Sequence, residues 1–135
     1  MTTNAATSTA DAWAPRLLSV FRIIMALLFL AHGLVKLFGF PAGAQPGQVP
    51  LMSLLGLAAV LELVGGAAVL LGLFTRPVAF ILSGQMAVAY FMVHAPQGFH
   101  PVLNGGELAI LYCFGFLYLA AAGAGPWSLD ARRPR

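Results

Sequence analysis

Charge is what this sequence has least of. Only 8% of its 135 residues are Asp, Glu, Lys or Arg, against about 25% in soluble domains. A water-soluble fold of this length could not coat its surface with so few charges, so lipid is the expected solvent. Cysteine is nearly absent as well. Cys113 is the single one, which excludes an intrachain disulfide and any multi-cysteine metal or iron–sulfur motif; its apolar surroundings suit a small buried residue. Met1 to Ala14 holds no positive charge, so the basic start of a signal peptide is missing. The apolar run that follows is long and carries Arg22, His32 and Lys36, and is expected to stay as a helix. The period-two alternation of a membrane strand is missing too. The net charge of +3 comes from basic residues scattered between apolar runs, with no aromatic–basic stripe, so nucleic acid is not an expected partner.

What is abundant is apolar surface, at 60% of the chain. It falls into four runs, Leu17 to Phe38, Leu51 to Phe74, Pro77 to Val93 and Gly105 to Ala124. About 20 residues are needed to cross a hydrocarbon core of about 30 Å. Three runs meet that length, and the third reaches it by extending to His94 or by tilting in a thinned bilayer. Between the runs lies turn chemistry. Residues 39–50 hold three prolines and three glycines. Thr75-Arg76-Pro77 reads as a tight turn with Pro77 in the first turn of the next helix. Residues 95–101 form another loop, and Gly123, Gly125 and Pro126 end the last helix. The expected fold is an all-α membrane protein, a bundle of four transmembrane helices at about 16–38, 51–74, 77–94 and 104–124. A polar tail (1–14) precedes this membrane domain (15–126), and a basic cytoplasmic tail (127–135) follows it.

Four crossings leave both termini on one side. Arg16, Arg76, Arg132, Arg133 and Arg135 fall there, with Arg22 just inside the membrane, and only Lys36 lies at the opposite face. Because Lys and Arg concentrate in cytoplasmic loops, this distribution predicts an N-in, C-in topology. Trp13 and Trp127 flank the first and last spans, where indoles favour the interface.

The informative residues are those that lipid should exclude: Arg22 and Lys36 in the first run, Glu62 in the second, and Glu107 at the head of the fourth. A charge at the bilayer centre costs roughly 2.5–3.5 kcal/mol on insertion scales, so each must pair or face a wet cavity. At about 1.5 Å per residue, Arg22 lies about 24 Å and Glu62 about 17 Å below the extracytoplasmic face, and Lys36 and Glu107 only about 3–5 Å below it. Matched depth predicts two pairs, Arg22 with Glu62 and Lys36 with Glu107. Such pairs either pin the helices in register or border a functional cavity. The cavity reading places His32, Lys36, Asn104 and Glu107 around a ligand, with Glu107, Lys36 and His32 as the groups for chemistry. Gly65, Gly66 and Gly72 fall on a seam of small residues suited to close helix packing. His94 and His100 are six apart without a third ligand of established type, so no metal site is expected; haem lacks a second axial ligand.

The ordered blocks in this chain resemble those of the DoxX family of small four-helix bacterial membrane proteins. They are Arg22 followed by His32-Gly33-Leu34-Val35-Lys36, then Glu62-Leu63-Val64-Gly65-Gly66 leading to Gly72-Leu73-Phe74-Thr75-Arg76, then Asn104-Gly105-Gly106-Glu107, and finally Gly123-Ala124-Gly125-Pro126-Trp127-Ser128-Leu129-Asp130. The resemblance implies a four-helix bundle in the bacterial inner membrane. It further implies a membrane subunit of a quinone-linked oxidoreductase system, working with a redox or assembly partner. The chain shows no cofactor fingerprint of its own, so quinone is the cofactor the resemblance brings in. In that reading Lys36 or His32 bonds a quinone carbonyl and Glu107 passes a proton. Two other functions fit the residues. One is a scaffold or assembly subunit without chemistry. The other is a small-anion binding or transport subunit, for which a homo-oligomer would supply the path that four helices without an inverted repeat lack.

Overall fold

Ser8 starts the first helix. Its hydroxyl accepts the Asp11 amide at 3.1 Å, and the Asp11 carboxylate accepts the Ser8 amide at 3.2 Å, a reciprocal cap that satisfies two of the orphan donors of a helix start. The computed structural model describes residues 6–134. Helix α1 runs Thr9–Phe38, 30 residues or about 45 Å, longer than the bilayer core. The polar stretch expected as a tail is therefore helical from Thr9 onward, while residues 1–5 and Arg135 lie outside the described residues.

Helix α2, Leu54–Leu71, begins three residues after its apolar run does, because Ser53 caps it by accepting the Gly56 amide at 3.1 Å. Helix α3, Thr75–Ala89, continues through a wider π turn at Tyr90–His94 and a 3-10 turn at Ala95–Gln97. The continuous helical stretch Thr75–Gln97 is 23 residues long, so it reaches spanning length. A single turn, α4 (Pro101–Asn104), precedes α5, Glu107–Ala122. With 16 residues α5 is about 24 Å long, shorter than the continuous stretch Thr75–Gln97. No strand occurs among the described residues.

The four long helices form an antiparallel ring. Gly33 of α1 lies against Ala59 and Glu62 of α2, and Gly66 of α2 against Leu30 of α1. Gly65 faces Leu82 of α3 instead, so adjacent glycines admit two different neighbours. Ser83 of α3 donates to the Cys113 carbonyl of α5 at 2.7 Å. The ring closes through aromatic contact, Phe29 of α1 meeting Phe116 at 4.8 Å and Tyr112 at 5.3 Å between ring centres, both edge-on. Ala26, Phe29, Val69, Leu82 and Phe116 at the centre are fully buried, whereas large apolar side chains such as Leu28, Val64, Phe80 and Phe114 point outward. In water that exterior would be untenable; in hydrocarbon it is the required surface.

The segment after α5 is not a free tail. Residues 123–132 fold back as a strap over the ends of the helices, on the face that carries both termini. The Leu129 amide donates to the Leu71 carbonyl at 3.0 Å and the Asp130 amide to the Gly72 carbonyl at 2.8 Å. Gly72 ends α2 in the left-handed conformation (φ 67°), which glycine adopts without steric cost, and its bare Cα lets Ser128 lie directly on it. Its role is to end a helix and seat the strap rather than to pack two helices together.

Candidate functional site

Lys36 and Glu62 form the one ion pair among the described residues, Nζ to Oε1 at 2.5 Å. Glu62 is 1% exposed, and the Lys36 side chain 14%. Neither expected pair forms: Lys36 takes Glu62, and Arg22 and Glu107 have no charged partner among the described residues. Because α2 starts at Leu54, Glu62 lies only about 12 Å along the helix from its beginning, and the long lysine arm reaches down to it from the last turn of α1. A carboxylate with no cation in so dry a position would be far costlier than this pair.

Around the pair, other polar groups converge from the remaining helices. His32 lies one turn before Lys36 and meets the Tyr112 ring edge-on at 5.9 Å. Tyr112 itself is buried and within electrostatic range of Glu62. Gln85 of α3 donates to the Ala58 carbonyl at 3.3 Å, one turn ahead of Glu62. Two buried acceptors, Glu62 Oε2 and Gln85 Oε1, have no hydrogen-bond partner among the described residues. An unmet buried acceptor costs roughly 1–3 kcal/mol, so this centre retains unused capacity to accept a donor. Nothing in the sequence singled out Tyr112; the available signal was a hydroxyl four residues before Phe116 in an otherwise apolar run.

Asn104 and Glu107 are not part of this centre. Asn104 is 3% exposed and fully engaged in its own loop. Its amide nitrogen donates to the Gly98 carbonyl at 2.9 Å and the Tyr90 hydroxyl at 3.3 Å, and its Oδ1 accepts the Gly106 amide at 2.8 Å. The His94 Nδ1 lies 3.0 Å from the Asn104 carbonyl. Asn104 therefore ties the end of α3 to the start of α5. Glu107 is exposed at the first position of α5 without a salt-bridge partner, where a negative charge complements the helix dipole.

Arg22 is 1% exposed, yet it binds no carboxylate. Its guanidinium donates to the carbonyls of Ala124, Trp127 (2.8 Å) and Leu70 (3.4 Å). It is the clasp of the strap. Arg76 works alongside it, donating to the Ala121 carbonyl at 2.7 Å, and the Ser19 hydroxyl accepts the Trp127 amide at 3.1 Å. At the end of α5 the Gly123 amide donates to the Leu119 carbonyl, and the Arg76 guanidinium from α3 satisfies the Ala121 carbonyl, one of the orphan acceptors of a helix end.

Taken together, the lipid-facing exterior, the four antiparallel helices and the buried polar centre define a small polytopic helical membrane protein. The chain belongs to the DoxX family, whose profile matches residues 17–95. It is 44% identical over 124 residues to an uncharacterized protein of Haemophilus influenzae, covering 89% of this chain and 92% of that one. It is 35% identical over 121 residues to the inner membrane protein YqjF of Escherichia coli, covering 82% and 87%. A more distant relative at 29% identity over 113 residues, covering 82% of each chain, is CatD of Bacillus subtilis, whose name proposes an oxidoreductase. No solved structure matches the chain significantly.

Proposed function

We propose that this chain is a membrane subunit of a quinone-linked oxidoreductase system, set in a bacterial inner membrane with both termini in the cytoplasm. The observation that carries the reading is the buried Lys36–Glu62 pair beside His32 and Tyr112, with Glu62 Oε2 free to accept a donor. The name of the Bacillus subtilis relative supports a redox role, and the inner-membrane location of the Escherichia coli relative supports the membrane. The excess of arginine on the terminal face supports the orientation.

In this reading Glu62, held in place by Lys36, would be the group that accepts a hydrogen bond from a quinol headgroup. His32 or the Lys36 ammonium bonds the second oxygen of the ring. A quinone bound there would supply two-electron, two-proton redox chemistry. Glu62 would take one of those protons and His32 would pass the other, with a partner redox protein as the electron acceptor. Glu62, inside the bundle, takes the proton role that the sequence suggested for Glu107.

Purification in mild detergent followed by quinone extraction tests this. Quinone should copurify with the wild type and with Glu107→Gln, and be lost from Glu62→Gln. A chain that carries no quinone in any of the three forms, but still retains a partner protein in all of them, is a scaffold.

A further inference from the structure

The terminal face holds a buried cation with no salt-bridge partner among the described residues. Arg22 is 1% exposed, no carboxylate lies within ion-pair distance of it among the described residues, and its Nε has no hydrogen-bond partner. Carbonyl oxygens satisfy donors but do not neutralise a full charge. The local acids are already committed. Asp130 accepts the amides of Phe74 and Thr75, and Asp11 is held by Ser8. Against these two stand Arg16, Arg22, Arg76, Arg132 and Arg133 on the same face.

Arg22 lines an open groove of about 360 Å³ between α1, the end of α2 and the strap. Its walls separate by chemistry. Arg132 and Trp127 stand on the strap side, while Ile23, Leu70 and Leu71 continue down the apolar flank. A larger groove of about 490 Å³ nearby is bordered by Arg76 and Asp130, but both have partners there, Ala121 for one and Thr75 for the other. Only the Arg22 groove combines an unpartnered buried donor with a second cation and a path for a hydrocarbon chain.

We propose that this groove binds an anionic phospholipid. The headgroup phosphate accepts from Arg132, as charge-assisted bonds favour, with the buried Arg22 guanidinium beneath it adding attraction through space. An acyl chain lies along Ile23, Leu70 and Leu71, and Trp127 sits at headgroup level. The lipid adds negative charge to a face rich in arginine and holds α1, α2 and the strap together.

Thermal unfolding of the full-length protein in detergent, with short-chain lipids titrated in, tests the site. Phosphatidylglycerol should stabilise saturably, phosphatidylethanolamine about tenfold more weakly, and inorganic phosphate not at all. Arg132→Glu, or the milder Arg132→Gln should the reversal misfold, should weaken the phosphatidylglycerol response about tenfold, equivalent to about 1.4 kcal/mol. Equal stabilisation by the two lipids, or an unchanged response in the folded Arg132 variant, overturns the proposal. Stabilisation by inorganic phosphate equal to that by phosphatidylglycerol also overturns it, in favour of a soluble-anion site.

Discussion

Asp130 caps a helix that begins 55 residues before it: its Oδ2 accepts the Thr75 amide at 2.9 Å, and its Oδ1 accepts the Phe74 amide at 2.8 Å. Helix α3 needs this help. The residue at its own cap position, Phe74, is held at φ 49° and provides no side-chain hydrogen bond. A carboxylate at a helix start satisfies orphan amides and complements the dipole. The strap is therefore fastened to the bundle electrically as well as by its backbone.

The first prediction concerns acid. Burial raises the Asp130 pKa, but the bonds from Thr75 and Phe74 and the charge of Arg133 outweigh that, leaving it below the ordinary value. A depressed carboxylate stabilises the fold above its unfolded pKa and loses that contribution as pH falls through the folded one. Stability in detergent should thus be flat with respect to this group above about pH 4 and decline below it. Asp130→Asn should unfold more easily at neutral pH and lose this part of the acid dependence, as read by thermal unfolding across a pH series.

The second concerns the buried pair. Glu62→Ala or Lys36→Ala should each destabilise the bundle by about 3–5 kcal/mol, because each leaves its partner stranded in a dry site. The double variant Lys36→Met with Glu62→Met should recover most of that loss, since apolar residues of similar volume often replace a buried pair without penalty. A double-mutant cycle built on Lys36→Met, Glu62→Met and their combination, by unfolding in mixed micelles, measures the coupling.

The third sets two glycines against each other. A methyl group on Gly33 would lie 3.1 Å from the Ala59 carbonyl and 2.9 Å from the Leu63 side chain, whereas one on Gly84 meets nothing within 4 Å. Gly33→Ala should cost about 1–3 kcal/mol by forcing α1 and α2 apart. Gly84→Ala should gain roughly 0.5–1 kcal/mol from helix propensity. Melting temperatures of the two variants, side by side, decide this.

The fourth concerns Asn104. Replacing it with Ala removes both donors and the acceptor that it supplies to its loop, leaving the Gly106 amide without its partner in a buried turn. The expected loss is about 1–3 kcal/mol, with faster amide exchange confined to residues 98–106. Quinone retention should be unchanged, which separates the loop from the polar centre.

The four helices were legible in the sequence because their length and apolarity are set by bilayer thickness, and glycine and proline mark the breaks. That Arg22, Lys36 and Glu62 turn inward was legible for the same reason, since lipid disfavours an exposed charge, whereas Glu107 is exposed at the head of α5. Which charge meets which was not. Depth counted along the chain treats a side chain as a point at its own Cα, but the Lys36 ammonium reaches down toward Glu62, and the helix carrying Glu62 starts later than its apolar run. Arg22 was assigned a carboxylate because sequence offers only side chains as partners; its actual partners are carbonyls at Leu70, Ala124 and Trp127. The strap has no periodicity to betray it. Gly125 and Ser128 read as the end of a helix and the start of a tail, although their small size is what lets the chain press onto Ser19 and Gly72.

Arg22 and Ala124 are 102 positions apart, which matters for how the protein is made. At a ribosomal rate of about 5–20 residues per second, the first helix emerges roughly 5–20 s before the carbonyls that will hold its arginine exist. For that interval a guanidinium destined for a dry site must be kept by water, headgroups or the insertion machinery. A chain without residues 123–132 never leaves that condition, because the Ala124 and Trp127 carbonyls that hold the guanidinium are missing.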